Sequence, residues 1–209
     1  MKKIKCCVGF LLLLSVMLLL PFSQSYAATN NQKAKMAYGK FLKNHENKYQ
    51  SFAVINIGSK KEPVLLVNEN GLNNEGTTIY GKLYYYTGSK VKAVKGGDVG
   101  SSGTAYPLQY IKHSLFVGTR WGLGSMIKVK KGCSYGTSVY TIYNNGKEQY
   151  YKAAVKKGKI VKSSRKVISE KTYKAFEKKW NPYNSKKDRT IKMKWNNAYN
   201  RKLYTGFEG

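Results

Sequence analysis

The spacing of apolar positions changes near residue 50, from a helical period to a strand period. Ala34, Tyr38, Phe41 and His45 recur every three or four positions, and lysines fill most of the opposite side. This spacing predicts an amphipathic helix over residues 31–49. His45 falls on the apolar stripe and has no obvious acidic or histidine partner in the sequence, so it is interpreted as a packed or half-exposed side chain.

Short runs rich in β-branched and aromatic residues follow, separated by turn-forming residues, and they predict strands. The predicted strands cover residues 51–57, 64–68, 77–87, 91–94, 110–117, 126–130, 138–143, 149–156 and 159–162. Asn144-Asn145-Gly146 is the strongest hairpin signal, because Asn and Gly tolerate the positive φ of a tight primed turn. Residues 96–103, GGDVGSSG, predict a flexible Gly/Ser loop.

Two more helical signals lie near the C-terminus. Ser169 is placed to cap a helix that ends at about Trp180, with Tyr173 and Phe176 on its apolar stripe. Residues 195–204 predict a short helix or a docked tail. Closely spaced strands without intervening helices favour antiparallel pairing over a parallel α/β fold. The predicted fold class is therefore α+β, mainly an antiparallel β meander with one helix near each end.

The first 27 residues have the layout of a secretory signal. Three lysines precede an apolar run over residues 8–20, and Ser25-Tyr26-Ala27 supplies small residues at the −3 and −1 positions. The run is shorter than the roughly 20 residues that a membrane-spanning helix needs. We therefore expect a cleaved signal peptide at 1–27 and a single secreted, β-rich domain at 28–209, located extracellularly or in the cell wall.

The charge of the chain is strongly positive and unevenly distributed. The net charge is +28, from 38 basic and 10 acidic residues. Residues 28–127 hold 13 bases and 5 acids, whereas residues 128–209 hold 22 bases and 5 acids. Such a field attracts polyanions. Lysine outnumbers arginine 34 to 4, which favours diffuse, salt-sensitive contacts over bidentate recognition by arginine.

Basic and aromatic residues alternate in the last third of the chain, where ammonium groups would meet anionic groups and aromatic faces would stack on sugars or bases. The partner predicted from this pattern is an anionic polymer such as teichoic acid or an acidic glycan, with nonspecific nucleic-acid binding as a further possibility. The alternative is an ordinary solvated face. The candidate binding residues are Lys156, Lys157, Lys159, Lys162, Arg165, Lys166, Lys174, Lys178, Tyr150, Tyr151 and Trp195.

Catalytic signals are weak. Cys6 and Cys7 lie in the leader, so Cys133 is the one cysteine left and no internal disulfide can form. Cys133 and His113 are the candidates for a nucleophile and its base in a wall-directed hydrolase or transferase. The competing interpretation of Cys133 is a partly buried small apolar residue. No cofactor and no metal site are predicted, and a structural or inhibitory partner protein is a third possible function.

The order of motifs resembles a group of secreted, mostly uncharacterised proteins of Gram-positive bacteria. Their helix motif, AYxKFL, matches residues 37–42, and residues 52–65 correspond to their pattern F-A-x-x-D-x-[ND]-x-D-x-x-P-E-L in its apolar framework. Tyr-rich hairpins and a Gly-Lys segment that leads into a helix, residues 157–180, complete the resemblance. It covers most of the mature chain and implies no established activity.

The chain departs from that pattern at the acidic loop. In the resembling proteins, alternate carboxylates and amides could hold a hard cation such as calcium, which takes about six to eight oxygen ligands. Here Asn56, Gly58, Lys60 and Val64 occupy those positions. Because an ammonium replaces an anionic ligand, we expect the hairpin to persist as scaffold without a metal role.

Overall fold

The computed structural model describes residues 29–58, 62–70, 76–101, 107–119, 122–180 and 189–209. The leader predicted at residues 1–27 lies outside these residues. So does Lys60, which is expected to replace an anionic metal ligand. The helices are α1 (Asn30–Lys43), α2 (Glu170–Trp180) and α3 (Ala198–Thr205), with a 3₁₀ turn at Lys162–Ser164. The strands are β1 (Ser51–Ile55), β2 (Val64–Asn68), β3 (Tyr80–Tyr86), β4 (Val91–Gly100), β5 (Gln109–Ile111), β6 (Ser114–Gly118), β7 (Gly124–Lys130), β8 (Cys133–Asn144), β9 (Lys147–Lys156), β10 (Lys159–Ile160), β11 (Lys166–Ile168) and β12 (Lys194–Trp195).

The strands form one curled sheet in the order β12-β1-β2-β3-β4-β8-β7-β6-β5, with β9, β10 and β11 branching from β8. Almost all pairs are antiparallel; β4 meets β8 in parallel at Lys95 and Cys133. The segment that leads into β12 also bonds to β5, where the Tyr110 N–H donates to the Arg189 carbonyl, and to the residue before β5, where the Ile191 N–H donates to the Leu108 carbonyl. The two ends of the sheet are therefore linked through this segment. The predicted α+β fold with mainly antiparallel strands is confirmed.

Two local predictions were wrong. Residues 96–103 do not begin a loop, because β4 continues to Gly100 and pairs with β3 through Asp98 and Val99. Residues 110–117 are two strands and not one, because Lys112 and His113 adopt positive φ and reverse the chain between β5 and β6. The Asn145-Gly146 turn was predicted correctly and joins β8 to β9.

The concave side of the sheet holds the largest apolar cluster. Alternate residues of β1, β2, β6 and β7 point into it, among them Ile55, Leu66, Leu115 and Ile127. Ile191 of the closing segment joins the same cluster. We refer to this side of each strand as the inner face and to the opposite side as the outer face.

Helix α1 covers the outer face of β1, β2 and β3. Its Thr29 side chain accepts from the Gln32 N–H in a capping box. The helix ends at Lys43, earlier than the predicted residue 49, and a turn follows. His45 is half-buried as expected: its ring stacks on Phe41 at 4.3 Å between centroids.

A buried tyrosine pair under α1 makes the fold sensitive to alkali. The Tyr49 and Tyr84 hydroxyls are 2.5 Å apart. Burial and then the hydrogen bond with Tyr84 raise the pKa of Tyr49 from 10.0 to about 12. The unfolded chain releases this proton near pH 10 while the folded chain retains it, so the free energy of unfolding is expected to fall between pH 10 and pH 12.

Urea denaturation at several alkaline pH values measures this effect. Tyr49→Phe removes one titrating group and is expected to make the decline in unfolding free energy less steep. An equally steep decline in the variant would show that Tyr49 is not responsible.

Helix α2 covers the outer face of the sheet at the other end. The Thr172 N–H donates to the Ser169 hydroxyl, as predicted for an N-cap. Trp180 packs on Phe116 at 6.3 Å between ring centroids, and Val139 of β8 is fully buried in the same cluster. Among the described residues, no helix is long and apolar enough to cross a membrane.

Candidate functional site

Strand alternation divides the predicted binding residues between the two faces of the branched hairpins. Tyr150 lies on the outer face and contacts Tyr173 of α2, with ring centroids 4.6 Å apart. Tyr151 lies on the inner face beside Tyr140. The two tyrosines that are adjacent in sequence therefore belong to different surfaces.

The outer face brings like charges directly opposite one another. Lys152 of β9 is the register partner of Lys166 of β11, and Lys156 of β9 is the partner of Lys159 of β10. Directly opposed residues in antiparallel strands have Cβ atoms about 4.5–5.5 Å apart. All four side chains belong to exposed residues and are on the same side of the sheet.

The register extends this surface across neighbouring strands. Lys128 of β7 faces Tyr135 of β8, and Tyr135 faces Lys156. One row of the outer face therefore contains Lys128, Tyr135, Lys156 and Lys159. The next row along the strands contains Lys130, Cys133 and Lys95. We call the seven lysines of these rows and pairs the outer lysine surface: Lys95, Lys128, Lys130, Lys152, Lys156, Lys159 and Lys166.

The charges of this surface are not neutralised by neighbours. In the described ranges, none of its seven lysines forms an ion pair with an acidic side chain. Lys152 instead places its ammonium 5.3 Å from the centre of the Phe176 ring. The surface therefore presents uncompensated positive charge to solvent.

The lysines of α2 differ from those of the sheet. Lys174 pairs with Glu170 one turn earlier, at 2.6 Å, and this hydrogen bond raises the pKa of Lys174. Its charge is partly offset by that carboxylate. Lys178 is exposed on the same helix.

Lys157 and Lys162 lie at the turns that frame β10. Lys157 has φ of 51° and its N–H donates to the Ser134 carbonyl, which ties the turn to β8. Lys162 begins the 3₁₀ turn, which leads to Arg165. Both side chains are exposed beside the outer lysine surface.

The inner face of the hairpins carries an aromatic stack. The Tyr140 and Tyr151 rings lie nearly parallel, with 19° between their planes and 5.8 Å between centroids. The guanidinium carbon of Arg165 lies 5.3 Å from the centre of the Tyr151 ring. Arg165 and Tyr151 are the two predicted binding residues that form this stack.

Trp195 does not join either surface. It lies in β12, where it pairs with Ser51 of β1, and five strands separate β12 from β9 in the order of the sheet. Its side chain is 50% exposed. The predicted grouping of Trp195 with the hairpin lysines therefore has no spatial basis.

The candidate catalytic residues lie on elements that are not neighbours, because β7 separates the β5–β6 hairpin from β8. His113 lies in the β5–β6 turn and shares a hydrogen bond with the Tyr110 hydroxyl, 2.7 Å from its Nδ1. Cys133 begins β8 and is partly exposed between Lys95 and Lys130. In the part of the chain that the structure describes, no hydrogen bond joins Cys133 to His113.

Other candidate sites have little chemical definition. A cavity of about 320 Å³ lies beside β1, lined by Phe52, Ile55, Ile191 and Tyr204 among others, and a cavity of about 600 Å³ lies beside the N-terminus of α1. Neither is lined by any of the residues predicted to bind or to catalyse. Across the described ranges, no three His, Cys, Asp or Glu side chains are grouped so that they could hold a metal ion.

Four lysines of the outer lysine surface and one tyrosine of the aromatic stack were not among the predicted binding residues. Lys95, Lys128 and Lys130 come from strands far from the basic hairpin in sequence, Lys152 lies in β9, and Tyr140 comes from β8. The two-residue period of each strand indicates which of its residues share a face. It does not show which residues of different strands lie side by side until the register of the strands is known.

Comparison with known proteins adds no relative: no family model, no curated protein and no solved structure matches this chain. The resemblance to secreted Gram-positive proteins stays a prediction.

Proposed function

We propose that this chain is an exported, non-enzymatic protein that binds anionic polymers of the cell envelope or its surroundings through the outer lysine surface. Teichoic acid and acidic glycans are the polymers with the required chemistry. The single observation that supports the proposal most is the direct opposition of Lys152 with Lys166 and of Lys156 with Lys159.

Like charges in register are unfavourable for folding. An opposite-charge pair at such a position contributes about 0.2–1 kcal/mol, and a like-charge pair destabilises the sheet. An anion that binds between such lysines relieves this repulsion and therefore stabilises the folded protein. The arrangement is thus more useful for binding a polyanion than for stability.

The outer lysine surface also has the geometry of an extended contact. Neighbouring strands lie about 4.8 Å apart, so the row from Lys128 to Lys159 crosses roughly 14 Å of sheet. A polymer with repeated anionic groups can meet several ammonium groups at once. The counterions released by each contact make the affinity fall steeply as salt rises.

Lys156→Gln with Lys159→Gln tests the proposal. We expect this double variant to bind fluorescein-labelled polyphosphate about tenfold more weakly than the wild type at 50 mM salt. The slope of log affinity against log salt should decrease by roughly 1.5, because each lost contact contributes about 0.7–0.9. Fluorescence anisotropy over a series of salt concentrations measures both quantities.

Lys35→Gln with Lys90→Gln is the matched control. Both residues are exposed, and neither belongs to the outer lysine surface. This control removes the same net charge and should leave the affinity within about twofold. If the two double variants lose equal affinity, the binding follows net charge alone and the proposed surface is wrong.

The same pair of variants has a stability readout. Removing the Lys156–Lys159 opposition is expected to raise the free energy of unfolding by about 0.2–1 kcal/mol at low salt. The gain should fade in 1 M salt, where the Debye length is about 3 Å. Urea denaturation of both double variants at the two salt concentrations measures it, and a loss of stability at low salt would contradict the repulsion argument.

A further inference from the structure

Arg165 differs from the lysines of the hairpin region because it carries a planar guanidinium and not an ammonium. It is exposed, and among the described residues no acidic side chain pairs with it. By contrast, Arg201 is buried and pairs with Glu46 at 3.2 Å. A planar guanidinium with free donors can bind two coplanar oxygens at once, which an ammonium cannot do.

The backbone beneath Arg165 is held on both sides. The Arg165 N–H donates to the Lys162 carbonyl at 3.1 Å and closes the 3₁₀ turn. The Ser164 hydroxyl donates to the Val161 carbonyl at 2.7 Å and accepts from the Ala154 N–H at 2.8 Å. The turn is thereby joined to β9, so the backbone at Arg165 has little freedom to move.

The aromatic stack orients the side chain. The guanidinium lies 5.3 Å from the centre of the Tyr151 ring, and Tyr140 lies on the neighbouring strand with its ring nearly parallel to that of Tyr151. The Tyr151 hydroxyl donates to the Gln149 side-chain oxygen at 2.5 Å, which fixes the ring. A guanidinium held in this way loses less freedom when it forms two hydrogen bonds.

Arg165 also lies where both faces of the hairpins can be reached. In the described part of the sheet, β10 and β11 pair with β9 alone, and Arg165 lies between them on this outer edge. The next residue, Lys166, belongs to the outer lysine surface. A polymer that crosses this edge can contact Arg165 and the lysines together.

We propose that Arg165, oriented by Tyr151 and Tyr140, is a geometry-specific oxyanion site that binds a carboxylate or phosphate group of the polymer through two hydrogen bonds. This inference rests on the proposed function and names its specific contact. The outer lysine surface supplies salt-dependent affinity, and Arg165 selects groups with two suitably spaced oxygens.

Arg165→Lys keeps the charge and removes the planar fork, so it tests geometry alone. We expect the variant to lose about tenfold in affinity for labelled polygalacturonate, labelled polyphosphate or both at 150 mM salt, while the slope against log salt stays that of the wild type. The polymer that shows the loss identifies the oxyanion as carboxylate or phosphate. An affinity within twofold of wild type for both polymers would overturn the inference.

Variants of the stack and a matched control complete the test. Tyr151→Phe keeps the ring and loses only the hydrogen bond to Gln149, so it should weaken binding less than Tyr151→Leu. Tyr151→Leu should weaken binding as Arg165→Lys does, with little further loss when the two are combined. Lys166→Arg places a guanidinium on the outer face and should change affinity less than twofold. Additive losses from Tyr151→Leu and Arg165→Lys would count against the stack.

The two proposals fail in different ways. If Arg165→Lys has no effect while Lys156→Gln with Lys159→Gln still weakens binding, the lysine surface stands and the oxyanion site is wrong. If the wild type shows no salt-dependent binding to either polymer, the proposed function is wrong and the oxyanion site has no polymer to select.

Discussion

Gly96→Ala is expected to lower the free energy of unfolding by about 3–5 kcal/mol, which is among the largest effects a single substitution produces. Gly96 has φ of +68°, a conformation that costs an L side chain roughly 1–2 kcal/mol. A Cβ at this position would also overlap the carbonyl carbon and oxygen of Lys157. Since those atoms are backbone, the overlap cannot be relieved by a change of rotamer.

Gly96→Ala should also disturb the outer lysine surface. The Ser134 hydroxyl donates to the Gly96 carbonyl at 2.6 Å, and the Lys157 N–H donates to the Ser134 carbonyl at 2.8 Å. These bonds tie the β9–β10 turn to β4 at the place where β9 branches away. Thermal unfolding should show a melting temperature roughly 10 °C below that of the wild type.

Gly146→Ala is the matched control. Gly146 has φ of +73°, and an added Cβ would meet no atom within 4 Å. This variant carries the conformational cost alone and should lose only about 1–2 kcal/mol. Equal losses in the two variants would mean that the close approach to Lys157 contributes nothing.

Asn196→Ala is expected to cost about 2–4 kcal/mol, the second large effect. The Asn196 side-chain amide donates to the carbonyls of Leu42 and Tyr49, at 3.0 and 2.9 Å. Its side-chain oxygen accepts from the buried guanidinium of Arg201 at 3.1 Å. The substitution removes three hydrogen bonds at once, although the Leu42 carbonyl still accepts from the His45 N–H and Arg201 still pairs with Glu46.

The Asn196 side chain joins the region of α1 to α3. Leu42 and Tyr49 belong to α1 and the turn after it, whereas Arg201 belongs to α3. Loss of the link should expose both helices together, so hydrogen exchange should increase at α1 and α3 in the variant. Protection that falls in only one helix would contradict this coupling.

Asn200→Ala provides the comparison. The Asn200 amide also donates to a backbone carbonyl, that of Trp195 at 2.9 Å, but in an exposed position. Alanine has a higher helix propensity than asparagine, which offsets part of the lost hydrogen bond. We expect a change in unfolding free energy of less than about 1 kcal/mol. A loss equal to that of Asn196→Ala would show that burial does not decide the cost.

The accuracy of the sequence predictions followed the chemistry of the turns. The β8–β9 hairpin was predicted because Asn145 and Gly146 favour positive φ. The β5–β6 hairpin was missed because Lys112 and His113 adopt positive φ, whereas Gly, Asn and Asp are the residues that dominate such turns. β4 was predicted too short because its glycines indicate a loop, whereas in the structure Gly96 allows close approach of the Lys157 backbone and Gly100 allows close approach of the Tyr80 ring.

The candidate site was predicted in part. The sequence located the excess of basic residues in the last third of the chain and identified Lys156, Lys159 and Arg165. Alternation within the predicted strand places Tyr150 and Tyr151 on opposite faces, but the sequence could not tell which of them α2 covers. It could not place Lys128 beside Tyr135 and Lys156 either, because strand register is a long-range property.

The sequence by itself determined the class of fold, most of the strands and the positive charge, since these follow from local periodicity, turn residues and composition. Tertiary structure alone decided which lysines oppose one another, which tyrosines are covered by α2, and that Arg165 rests on Tyr151. The physical reason is that alternation within a strand is a local property, whereas the pairing of strands and the packing of a helix on one face are set by burial of apolar residues far apart in the chain.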